Sequence, residues 1–381
     1  MKIAYLSFTK LTAKMSKDWF IDDFLEKDVE VEFLDISDIF YERKANNHLN
    51  DKLIISEFTS LKDLELYLTQ PKYKSYVFII KVHYSYTTLK IYRLLDKLKL
   101  YKVFIHWGES PGLFLKTSSL SKIKQLFTFN QKLTIVFKRM LQRLYLRLLR
   151  KLDIVKKYDM CFAAGNVCNT NSYSKKTIPI NYYDYHDNEN ITKYSNTNKQ
   201  AVFVDINVTS HPDAKVQTLI KQIDSKQYYK YLNKFFDIYE NFYNLEIVIA
   251  AHPGFHYDKR QFKNRKVFYS KTPELIKSSS HVIAHYSNAL SFAILNYKPI
   301  SFIYTNEMFG TYSYHMTKCF ANYLSNETIN ISDIHANDFP LIQNINHDAY
   351  NRYKYDYIIS KESEYKNSFS ILYDNLSRIN L

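Results

Sequence analysis

The sequence predicts an α/β protein built of two Rossmann-like domains facing a central cleft. Three observations carry this reading. Apolar, strand-like runs alternate with helical patterns through both halves of the chain. The alternation breaks in a polar Asn/Ser/Thr/Tyr/Asp stretch at 166–200 and then restarts. The 381 residues also exceed what one hydrophobic core serves, since single cores stop growing at roughly 250 to 300 residues.

In the first half, strands are expected at residues 2–7, 29–34, 75–80 and 102–106, separated by helices near 17–25, 60–68 and 88–98. A long basic helix follows, then a strand at 158–164. In the second half, strands are expected at 201–204, 245–251, 267–269, 281–284 and 300–304. They are interleaved with helices near 225–243, 273–278, 289–296 and 312–324. These elements divide the chain into an N-terminal Rossmann-like domain (1–185), a C-terminal Rossmann-like domain (200–360) and a last helix (361–381) that crosses back to the first domain. No internal repeat competes with this division.

The opening run, residues 1–8, carries one charge and is too short for a signal peptide or a spanning helix, so it reads as the first core strand. No window of eighteen uncharged apolar residues occurs, and membrane contact is expected to be peripheral. Cys161, Cys168 and Cys319 are odd in number and lack a C-x-x-C spacing, which fits reduced thiols in a cytoplasm.

The net charge of +14 is unevenly spread. No acidic residue occurs from Ser110 to Leu152, where ten lysines and arginines fall. Within 131–152, Leu133, Val136, Phe137, Met140, Leu141, Leu144, Leu148 and Leu149 recur at three- and four-residue spacing, one apolar face of a helix with cations opposite. Such a helix either packs that face on its own domain or lies on an anionic membrane surface. Nucleic acid is the disfavoured partner: the charge sits on one amphipathic helix, with no helix-turn-helix, zinc-ligand or RNP1-like pattern.

Chemistry concentrates at strand ends. Only five glycines occur, Gly108, Gly112, Gly165, Gly254 and Gly310, so neither G-x-G-x-x-G nor G-x-x-x-x-G-K-[ST] is present. Glycine-loop nucleotide folds are thereby disfavoured. The strand at 245–251 breaks into His252-Pro253-Gly254, and the strand at 281–284 runs into His285-Tyr286-Ser287-Asn288 before a helix. Ligands of open α/β sheets bind outside such carboxyl ends, so His252, His285, Ser287 and Asn288, with Lys298 nearby in sequence, are candidate phosphate-binding residues. Asp205 ends the strand at 201–204, where a carboxylate is placed either to attack an anomeric carbon or to cap a turn. Glu109 follows Trp107 in a Gly/Pro-punctuated loop, a setting that suits a general acid or base and also an ordinary solvent-facing turn. His252 and His256 have a four-residue spacing, but Pro253 and Gly254 between them argue against a shared helical face, and no metal is expected.

Ala250-Ala-His-Pro-Gly254 and His285-Tyr-Ser-Asn-Ala-Leu-Ser-Phe-Ala-Ile-Leu-Asn-Tyr-Lys-Pro299 resemble the HP and serine motifs of bacterial glycosyltransferases that use CMP-activated acidic sugars. The stretch from Val202-Phe-Val-Asp205 to His211-Pro-Asp213 resembles a strand-end Asp motif of retaining β-Kdo transferases. The resemblance implies a GT-B-like architecture, Asp205 as nucleophile, Glu109 as acid/base, and His252 and Ser287 on the donor phosphate. The family's usual Ser-Ser or Ser-Thr pair stands here as Ser287-Asn288.

The expectation is a cytoplasmic, membrane-peripheral, metal-independent transferase of surface-polysaccharide synthesis that moves a Kdo-like sugar from a CMP donor to a glycan or lipid-linked glycan. A UDP- or GDP-sugar transferase, a glycerophosphate-type transferase and a non-catalytic basic membrane- or RNA-binding protein are the alternatives.

Overall fold

A computed structural model describes residues 1–40, 52–112, 133–170, 173–191, 199–210, 223–252 and 254–380. The chain divides into two compact units. The first is Met1–Trp107, Thr134–Tyr183 and Ile359–Leu381; the second is Gly108–Leu133 and Asp184–Ile358. The loop carrying Glu109 thus groups with the second unit, where the sequence suggested the first.

The first unit holds seven parallel strands: β1 (Lys2–Ser7), β2 (Glu30–Asp35), β3 (Ile54–Glu57), β4 (Val77–Lys81), β5 (Tyr101–His106), β6 (Tyr158–Ala164) and β7 (Ser174–Ile180). They lie in the order β3-β2-β1-β4-β5-β6-β7. The second unit holds six: β8 (Gln200–Val204), β9 (Glu246–Ala250), β10 (Val267–Phe268), β11 (His281–Ala284), β12 (Ile300–Tyr304) and β13 (Thr328–Asn330), in the order β10-β9-β8-β11-β12-β13. Each sheet winds outward in both directions from its first strand, the doubly wound pattern of a dinucleotide-type fold. The strand order therefore reverses between β1 and β4 in one unit and between β8 and β11 in the other.

Helices cover both faces of a parallel sheet, so its inner strands are buried on either side and read as unbroken apolar runs. Ile3–Leu6 of β1, Val77–Ile80 of β4, Ala201–Val204 of β8 and Val282–Ala284 of β11 are all buried. The first core adds Tyr73, Tyr92, Leu95 and Tyr158; the second adds Leu232, Phe235, Phe236 and Tyr239 from the helix Ser225–Tyr243. The tyrosines bring hydroxyls inside, and they are satisfied there. Tyr92 donates to the Val82 carbonyl, and Tyr73 donates to both oxygens of buried Glu32 at 3.1 and 3.0 Å.

Three strands lie outside the sequence expectation: β3, β7 and β13. The stretch read as a linker contains β7 and the helix Tyr183–Asn190. The last helix is shorter than expected, Ser368–Leu376, and belongs to the first unit. Asn181, after β7, is saturated by this returning segment. Its N–H donates to Ser368 Oγ (2.9 Å), its amide donates to the Ser363 and Lys366 carbonyls (2.8 and 3.1 Å), and its Oδ1 accepts from Ser363 Oγ (2.8 Å). Gly165, at φ 74°, donates to Ser360 Oγ at 3.2 Å.

Candidate functional site

The second unit places three loops at neighbouring carboxyl ends. Val204 pairs with Ala250 of β9 on one side and with Ala284 of β11 on the other. Asp205, His252 and Ser287 therefore follow three adjacent parallel strands by one, two and three residues. Asp205 and Ser287 flank the reversal of strand order, the usual place for a ligand in an open α/β sheet.

Asp205 is only 3% exposed. Its N–H donates to the Ala250 carbonyl (3.0 Å), which ties the end of β8 to β9. Oδ1 accepts the Asn207 N–H at 3.1 Å, closing a turn in which Asn207 adopts φ 48°, a left-handed conformation that Asn tolerates better than most residues. Oδ2 accepts the Tyr257 hydroxyl. Burial raises the carboxyl pKa to about 6, against the pull of these donors. Burial also raises Tyr257, and the charge of Asp205 adds to that effect. Nothing in the sequence marks Tyr257, which lies in a loop of mixed basic and aromatic composition without periodicity.

His252 is half-buried, and its Nδ1 accepts the Gly254 N–H at 3.1 Å. An imidazole that accepts at Nδ1 carries its proton at Nε2 when neutral, which makes Nε2 a donor. Ser287 Oγ accepts the Ala289 N–H at 3.2 Å, and Asn288 is exposed. The helix that follows is Leu290–Leu295, capped by Ala289 with no side-chain bond, so neither Ser287 nor Asn288 is its N-cap.

Two expected members stand elsewhere. His285 is fully buried, with Nε2 at 2.7 Å from the Tyr228 hydroxyl and Nδ1 at 2.6 Å from the Ile303 carbonyl. Burial lowers its pKa to about 4, and the ring serves the fold rather than a phosphate. Lys298 precedes β12, and β12 runs parallel to β11, so the residue sits at the amino edge of the sheet. A five-residue strand separates it from the carboxyl-end loops by about 16 Å. Glu109 is exposed, and its charge reaches buried Tyr357 of the same unit. The expected Asp motif continues through His211 and Asp213, which lie outside the described residues.

A groove of about 980 Å³ runs along the helix Ser225–Tyr243 and the segment 258–263, lined by Lys226, Tyr229, Lys230, Asp237, Asp258, Arg260 and other residues. Tyr229 links it to the site, since the charge of Asp205 raises the phenol's pKa further than burial alone. Among the described residues, no group of three or more His, Cys, Asp or Glu is arranged to hold a metal ion.

No protein-family model matches the chain, and no curated protein is significantly similar to it. Solved structures do match. The calicheamicin glycosyltransferase CalG4 superposes with a TM-score of 0.51 at 7% identity, covering 93% of this chain and 92% of its own. S. aureus MnaA, solved with UDP, gives 0.49 at 11% identity over 99% and 97%. Acinetobacter baumannii MurG gives 0.47 at 8% over 99% of each chain. At such identities the likeness to CalG4 is one of fold, and the two Rossmann-like units are GT-B-like.

Proposed function

We propose that the protein is a nucleotide-sugar-dependent glycosyltransferase whose second unit holds the donor, a CMP-activated Kdo-like sugar, for transfer to a glycan acceptor. One observation carries the reading: a carboxylate, an imidazole donor and a hydroxyl stand on adjacent strand ends at the reversal of strand order. The GT-B-like fold supports it.

His252 Nε2 and the Ser287-Asn288 loop donate to the donor phosphate as its charge develops. A carboxylate oxygen of Asp205 attacks the anomeric carbon, and the bond from that carbon to the phosphate oxygen breaks, with CMP leaving on the electron pair. The acceptor hydroxyl then displaces Asp205 while Glu109 takes its proton. A carboxyl with a pKa of about 6 is mostly ionised at neutral pH and more basic than an ordinary Asp. Reaching it requires the Tyr257 hydroxyl to leave Oδ2, while Asn207 keeps Oδ1 in place. The chemistry assigned to these residues uses no metal.

The burial of Asp205 favours a second assignment, in which the carboxylate organises the loop and attacks nothing. Two measurements on Asp205→Asn separate them. As nucleophile, the substitution lowers transfer by roughly a thousandfold or more while CMP still raises the melting temperature. As loop organiser, it abolishes the CMP-induced shift. The shift itself tests the donor: saturation at 100 times Kd stabilises by about 2.7 kcal/mol, and an effect of UDP or GDP in place of CMP reassigns the nucleotide. An acceptor carried on a lipid would require work at a membrane surface.

A further inference from the structure

Of the face its sequence marks as apolar, the helix Leu133–Lys151 buries Leu149 and leaves Phe137, Met140, Leu141, Leu144 and Leu148 exposed. It docks through Leu146, Leu149 and Arg150, which are 8%, 5% and 7% exposed. The Arg150 guanidinium lies 3.9 Å from the ring centre of Tyr84 and 4.7 Å from that of Tyr173, which makes it a packing residue rather than a surface charge. At 3.6 residues per turn, Phe137, Met140, Leu144 and Leu148 project from the opposite side of the cylinder. They are 57%, 44%, 51% and 50% exposed. Leu141 and Leu152 extend the same ridge.

A soluble helix normally turns such a ridge inward, so an outward one signals a partner. The flanks indicate which kind. Lys138, Arg143, Arg147 and Lys151 are all exposed beside the ridge, and no acidic residue occurs between Ser110 and Leu152 to oppose them. A second copy of the chain would have to bring these cations against their own kind, whereas a bilayer with anionic headgroups meets the cations at its surface and the ridge in its acyl boundary. No described helix is long and apolar enough to cross a membrane, and the geometry is that of a helix lying in the interface.

We infer that the first unit docks onto an anionic lipid bilayer through the outer face of this helix, with Phe137, Met140, Leu141, Leu144 and Leu148 inserted and Lys138, Arg143, Arg147 and Lys151 on the headgroups. This docking is independent of the donor-site reading.

The test is co-sedimentation of the full chain with sucrose-loaded vesicles, either pure phosphatidylcholine or 70:30 phosphatidylcholine to phosphatidylglycerol. The expected result is at least tenfold tighter binding to the anionic vesicles, weakened by 0.5 M NaCl. Leu144→Glu/Leu148→Glu lowers that binding more than tenfold; both side chains are exposed, so the unfolding midpoint and any nucleotide-induced melting shift stay where they were. Lys138→Glu/Arg147→Glu reduces binding to anionic vesicles alone. Equal binding of wild type to both vesicles, or undiminished binding of the Leu144→Glu/Leu148→Glu variant, overturns the inference. So does sedimentation of the wild type as a dimer that the same variant dissociates, because the face then belongs to a second copy.

Discussion

Acidification should destabilise the second unit through two histidines that fold neutral. His281 and His285 are buried, and burial lowers their pKa values to about 3 and about 4. An unfolded histidine titrates near 6.5. The unfolded chain thus binds more protons than the folded unit below pH 6.5, and stability is lost as pH falls through the window from 6.5 to about 4. At pH 4.5 the cost is about 1.36 kcal/mol per pH unit over two units, or ~2.7 kcal/mol for each ring and ~5 for both. Asp205 opposes this. Its folded pKa is raised to about 6, so protonation between pH 6 and the ordinary Asp value favours the folded unit by about 2 kcal/mol at pH 4.5. The net loss from these three groups between pH 7.5 and 4.5 is about 3 kcal/mol.

Tryptophan fluorescence cannot report this, because Trp19 and Trp107 are the only tryptophans and both lie in the first unit. Two units also make a single unfolding free energy ill-defined. Hydrogen exchange by mass spectrometry resolves the matter on peptides spanning β8 and β11, corrected for the intrinsic pH dependence of exchange. Protection there should fall by about 3 kcal/mol across the range, and His285→Gln should remove about half of the histidine contribution. Protection in β11 that is unchanged to within about 1 kcal/mol, or that falls equally in β1 and β4, refutes the reasoning.

Two further predictions concern the first unit. Arg150 is stacked on Tyr84, Tyr158 and Tyr173, so Arg150→Ala should destabilise this unit by roughly 3 kcal/mol. Tryptophan-detected denaturation measures it, and Arg150→Lys should recover less than half, because a compact ammonium does not stack as a guanidinium does. Lys81 ends β4 with its Nζ 4.8 Å from the Trp19 ring centre and 4.9 Å from that of Trp107, and burial lowers its pKa to about 7. A depressed lysine loses stability as pH falls from its unfolded value toward the folded one, so Lys81→Met should raise the melting temperature at pH 7. It should also remove a fluorescence titration centred near pH 7; an unchanged fluorescence profile would count against that ammonium position.

The inner strands were legible because burial on both faces forces continuous apolar sequence, as in Ile3–Leu6 and Ala201–Val204. The outer strands escaped notice. Ile54 and Ile55 of β3 are largely exposed, and β7 carries exposed Lys175 and Lys176, so its composition is that of a linker. Polar residues that interrupt apolar runs marked Asp205, His252 and Ser287 correctly as strand-end residues. Sequence does not say which way a side chain turns, and His285 turns inward to Tyr228. Nor does it show that the helix Leu290–Leu295 carries the chain back across the sheet, which is why Lys298, three residues past that helix, is remote from the loops it seemed to join. For 131–152 the amphipathic period was plain, but only packing reveals that the less apolar side faces the core.

The clasp on Asn181 has a consequence for biosynthesis. A ribosome releases every residue of Asp184–Ile358 before it releases Ser360, Ser363 and Ser368. The second sheet can therefore close around its own core while the first still lacks the partners of Gly165 and Asn181. The first sheet is completed after the second, and a chain interrupted between Ile358 and Ser360 would hold the whole second unit yet lack the side chains that close on Gly165 and Asn181.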